Sequence, residues 1–296
     1  LILSGCTLSV YGSLAGAICS IVMSGDLSCG DLVIGITGAT TGSGILNLAS
    51  GTSNTIGSIV AGDPTNAANA IDFSDATVGY GAGSGDYNFA DIVDVTMNGS
   101  SVTCTDMDVG TDCVLTLDDD SDVTVVGAGF FELAGGTIIS NSNTLSIDGN
   151  VKRTTGTAID FVLEMTGTNK TIGWTGSSEQ IDELIISGEI STSANVYAQK
   201  FTGSGLFVND TLLFMSPLIN GWWNYTGDMT GTGIVNIFQS SASPGGDIDV
   251  AVDWLFFANS FRAIILDGSF SSKSLQIYGA PGIPYEITCT EILSTN

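Results

Sequence analysis

Lys170-Thr-Ile-Gly-Trp-Thr-Gly-Ser-Ser-Glu-Gln-Ile-Asp-Glu-Leu-Ile-Ile-Ser-Gly188 ends in a phrase that recurs down the chain: apolar residues on alternate positions, then a glycine. The same phrase appears as Leu8-Ser-Val-Tyr-Gly12, Ile21-Val-Met-Ser-Gly25, Val95-Thr-Met-Asn-Gly99, Leu145-Ser-Ile-Asp-Gly149, Ile264-Ile-Leu-Asp-Gly268 and Leu275-Gln-Ile-Tyr-Gly279. Period-two alternation buries one face of a short strand, and the glycine supplies a residue able to turn. From about residue 123 the terminating glycines fall at Gly127, Gly149, Gly167 and Gly188, at intervals of 22, 18 and 21 residues. A strand-and-turn unit repeated at that interval predicts stacked rungs rather than a closed globule.

Outward from that stretch the reading stays all-β. No 3.6-residue periodicity is present, and glycines interrupt nearly every window long enough for a helix. Strands are predicted over 6–11, 18–24, 31–37, 44–48 and 55–60, then over 92–98, 100–104, 113–117 and 122–126. Between them Asp63-Pro-Thr-Asn-Ala-Ala-Asn and Gly79-Tyr-Gly-Ala-Gly-Ser-Gly-Asp read as surface excursions. The expected organisation is an irregular N-terminal β region over 1–91 and a β-solenoid domain over 92–296. A pair of tandem β-sandwiches split near 61–91 is the alternative.

The stretch 170–188, with Val196-Tyr-Ala-Gln-Lys-Phe-Thr-Gly203 after it, resembles the rungs of parallel β-helix proteins of cell surfaces, adhesins and phage tail spikes. The resemblance is one of repeat pattern over roughly residues 120–280. It implies an elongated coil of parallel sheets and carries over no active-site residue.

Charge is sparse and one-sided: 31 Asp and Glu against 6 Lys and Arg, no His, net −25. The basic residues are Lys152, Arg153, Lys170, Lys200, Arg262 and Lys273, so residues 1–151 have none. Phosphate backbones and anionic membrane surfaces need cationic side chains, which excludes nucleic acid and anionic membranes as partners. No apolar run reaches the length of a membrane-spanning helix. Without histidine, Ser–His and Cys–His catalysis is excluded. Asp182-Glu183, Asp247, Asp249 and Asp253 are carboxylates that a polysaccharide-cleaving enzyme would need, but acidic pairs alone are a weak signal, and no enzyme activity is expected.

Cys6, Cys19, Cys29, Cys104, Cys113 and Cys289 are even in number and lack a C-x-x-C. They are read as disulfide partners in an oxidising compartment, with Cys104 and Cys113 closing a small loop. Inside that loop Asp106, Asp108 and Asp112 surround Gly110. Alternating carboxylates around a glycine turn suit a structural calcium ion, and no other cofactor is expected. Asn98, Asn169, Asn209 and Asn224 match the N-glycosylation acceptor pattern. Residues 205–262 are rich in aromatics that should form a core ladder. Adjacent strand residues point to opposite faces, so one of Trp222 and Trp223 should face outward, toward a glycan or a subunit.

These features predict an extracellular structural protein, at a cell or virion surface, whose copies assemble into a filament, sheath or surface layer. An adhesin or tail-spike-like glycan-binding protein is the alternative.

Overall fold

The computed structural model describes residues 1–3, 6–12, 17–35, 43–48, 53–61, 69–81, 83–176, 179–215, 223–238, 254–258, 263–271, 274–278 and 286–293. Side chains in the strands beyond 253, and those of 223–224 and 236–238, are not described. All regular structure among these residues is strand, and every strand pairing given with its register is parallel. The chain is a parallel β-solenoid. It divides into two compact units, Leu1–Phe161 and Val162–Asn296.

In the first unit each rung supplies a strand to three walls. The first wall stacks the start of Ser28–Ile34, the start of Asn54–Ala61, Thr77–Gly79, Ser101–Cys104, Ser121–Val125 and Thr144–Asp148. The second carries Asp86–Asn88, Asp106–Gly110 and the first halves of Phe130–Ile139 and Asn150–Ile159. The third carries Ile18–Val22, Ser43–Asn47, Ala70–Asp72, Asp94–Thr96, Val114–Thr116 and the second halves of the two long strands. Cross-rung partners lie between 20 residues apart (Asp94↔Val114) and 28 (Ile59↔Tyr87). The ladders run unbroken across residue 91, because 70–72, 77–79 and 86–88 each pair with the strand one rung on. The boundary expected there is therefore not a break in the stack. The looser composition of 61–91 reflects longer excursions between strands of a continuing coil.

Alternation puts the apolar set inside. Leu46, Ile71, Val95, Leu115 and Ile138 form one inward file in register, each 0 or 1 % exposed. Tyr87, Met107, Phe131 and Val151 form another, equally buried. The phenol of Tyr87 donates to the Ile56 carbonyl at 2.8 Å, which satisfies its one buried polar group.

The second unit repeats the design with shorter rungs, 17 residues at Glu183↔Lys200 and 23 at Ala263↔Glu286. Its inward file Trp174, Val196, Leu213 and Val235 is fully buried. Phe201 packs on Phe207 and Tyr225 at 5.2 and 4.7 Å between ring centroids. The expected aromatic core ladder is present at these three residues.

Candidate functional site

The outward faces hold the side chains that could do chemistry. On the second wall of the first unit, Asp86 and Asp106 are in register, and beside them run Asn88, Asp108, Glu132 and Lys152. This acidic file comes from the alternation of Asp106-Met-Asp-Val-Gly110, whose apolar residues Met107 and Val109 are buried. The segment expected to wrap calcium is thus a strand, not a loop. Asp106 accepts the Phe130 N–H at 2.9 Å. Asp112 lies beyond the strand at φ 61. The three aspartates do not converge, and among the described residues no cluster of three or more acidic or thiol side chains is arranged to hold a metal ion.

Stacking like charges has a cost. Burial, then the charges of Glu132, Asp86 and Asp106, push the Asp108 carboxyl up to about 6, while Lys152 works the other way. Glu132 stays below its ordinary value despite its burial, because Lys152 at 2.6 Å and the Thr154 hydroxyl both hydrogen-bond it.

The same strand separates the cysteines. Cys104 ends a first-wall strand in register with Val125, and Cys113 precedes a third-wall strand; both are buried. They are free thiols, as are Cys6, Cys19 and Cys29, so the expected disulfides are absent among the described residues. The sequence spacings of Cys6, Cys19 and Cys29 do not match the rung: Cys29 stacks between Leu3 and Ile56, and Cys19 on Gly44. Burial pushes the Cys104 and Cys113 thiols up to about 12, which suppresses the reactive thiolate. Cys289 sits on the strand Glu286–Leu293 in register with Leu266, and its side chain is not described.

Carboxylates and amides at the turns tie one rung to the next. Asp26 accepts the Ser53 N–H, Asp120 the Thr144 N–H and Asp210 the Thr232 N–H, at 2.9, 2.6 and 3.1 Å. Buried Asn54 accepts from Leu27 N–H at 2.9 Å and donates to the Thr77 carbonyl at 3.2 Å. Asn98, half-buried, accepts the Asp118 N–H. Asn209 is 0 % exposed and donates to the Ile234 carbonyl, which leaves no room for a glycan and corrects that expectation. Asn169 is exposed at φ 55. Asn224 is in register with Thr202. The carboxylates of Asp182 and Glu183 are likewise used across rungs, by Gln199 and by Lys200 with Thr202. Asp247, Asp249 and Asp253 lie outside the described residues.

Trp222 lies outside the described residues, and Trp223 opens the strand Trp223–Tyr225 in register with buried Phe201. An outward aromatic pair exists elsewhere, on the third wall of the second unit. Tyr197 and Phe214, in register on neighbouring rungs, bring their rings to 5.4 Å at 45°. Sequence reading assigned Phe214 to the core. The signal that could have found it is its place between Leu213 and Met215, both fully buried.

No helix among the described residues is long and apolar enough to cross a membrane. Comparison with protein-family models, curated proteins and solved structures finds no match to the chain.

Proposed function

We propose that the chain is an extracellular structural protein whose copies assemble into a filament, sheath or surface layer, and that it has no catalytic role. The observation that carries this reading is the use made of the polar side chains. Asp26, Asn54, Asp106, Asp120, Asp182, Glu183 and Asp210 all hold one rung to its neighbour. Groups that an enzyme would free for substrate are here part of the scaffold. Scarce Lys and Arg add support, since a trypsin-like protease would find no site before Lys152.

Electron microscopy of the native material, with and without reductant, tests this. Ordered fibres, tubes or sheets that survive reduction are expected, because the described thiols are unpaired. Discrete monomers at every concentration would overturn it. A second reading, a glycan-binding module, is favoured by the outward Tyr197–Phe214 pair, since aromatic rings can stack on sugar faces.

A further inference from the structure

The third wall of the second unit carries two outward files. One runs Leu212 and Ile234, continued in register by Trp254; the other runs Tyr197 and Phe214, continued by Asn236 and Phe256. Ile234 is 44 % exposed, and Leu212, Phe214 and Tyr197 are half-buried. The residues between them in sequence, Leu213, Met215, Val235 and Val196, fill the interior, so this apolar face is surplus to the unit's own core. No charged residue occurs from 211 to 227 or from 229 to 246.

We infer that this wall is the surface on which two copies of the chain meet, face to face; the inference rests on the self-assembly reading. Charge selects the occupant. At net −25, copies repel one another across most of their surfaces, and close approach is cheapest where neither presents a carboxylate. A cationic partner would find nothing here to pair with. Leu212 and Ile234 offer a sugar chain no hydrogen bonds. Aromatic and aliphatic residues without charge are what the core of a protein–protein contact contains. A flat parallel wall is also self-complementary: two such sheets pack about 10 Å apart, and a two-fold axis closes the contact.

Sedimentation velocity of the full chain, over a range of concentrations and at low and high salt, tests the inference. The native chain should associate, more strongly as salt screens the net charge. Ile234→Asp and Leu212→Lys should each weaken association by at least about tenfold, as expected for charges placed in an interface centre. Ile234→Val should retain it, and so should Ile159→Asp, which charges an exposed apolar site on the first unit. Far-UV circular dichroism shows whether each variant keeps its strands. If the native chain associates and both charged variants associate equally well, this wall is wrong and self-assembly stands. If the native chain stays monomeric in all conditions, both fall. A monomer that binds a neutral polysaccharide, and loses it with Ile234→Asp, would overturn the inference in favour of a glycan platform.

Discussion

Asp108 shows how one side chain feels the repeat. In a parallel stack each residue meets its counterparts on the rungs before and after it, so Asp108 sits between Asn88 and Glu132, with Asp86 and Asp106 beside it. Its folded-state pKa, about 6, is above the ordinary carboxylate value of 3.8. The folded state therefore holds the proton more tightly than the unfolded chain, and stability falls as pH rises through that interval. Asp108→Asn should flatten this dependence and stabilise the protein near neutral pH. The gain should be below about 1 kcal/mol, because solvent screens a half-exposed group. Denaturant titrations from pH 4 to pH 8 measure it; a steeper loss of stability in the variant would contradict the reading. The thiols give a second residue-scale test. Under native conditions an alkylating reagent should modify exposed Cys6, and reach Cys29, Cys104 and Cys113 only after unfolding. Cysteines protected until reductant is added would show a disulfide instead.

At the scale of the element, turns limit what can be substituted. In the second unit Gly167, Gly188, Gly205 and Gly227 stack one above another. The Gly167 carbonyl accepts the Glu189 N–H, and the Gly188 carbonyl the Leu206 N–H, both at 2.9 Å. A Cβ on Gly188 would lie 2.0 Å from the Gly167 oxygen, and one on Gly205 would lie 2.1 Å from the Gly188 oxygen. Gly188→Ala should therefore destabilise by about 1–3 kcal/mol or more, since backbone must shift on two rungs; a thermal melt equal to that of the native chain would refute it. Two members of this column, Gly167 and Gly188, are legible in the sequence as terminating glycines. Gly127 is not the partner of Gly149 that its spacing suggests: with Phe130 opposite Asn150, Gly129 is the residue in register. The strand Asp106–Gly110 was hidden for a chemical reason. Aspartate is rare in strands, and Asp-x-Asp-x-Gly imitates a cation loop. Yet Met107 and Val109 alternate with those aspartates as any half-buried strand requires. Strand existence was readable from apolar alternation alone. Pairing partners were not, because excursions such as 62–68 vary the rung length and hide which residues stack.

For the molecule as a whole, the fold class follows from repetition, while the outward chemistry depends on register. The all-β, parallel, helix-free design was legible because inward files need only apolar residues at alternate positions. The disulfides were not, since six cysteines carry no record of which wall each faces. The outward aromatic pair was missed for the same reason: Phe214 looks like core until Leu213 and Met215 are seen to be inside. Each rung of the second unit is bonded only to the rung before and after it, at separations of 17 to 23 residues. Under tension applied to one end, such a stack has no distant contacts to break together. It should pay out like thread from a spool, one rung per event, each event lengthening the chain by roughly 60–80 Å as those residues extend. Single-molecule pulling would record a row of small, similar steps rather than one large rupture. A material built from such units would yield by lengthening before it fails.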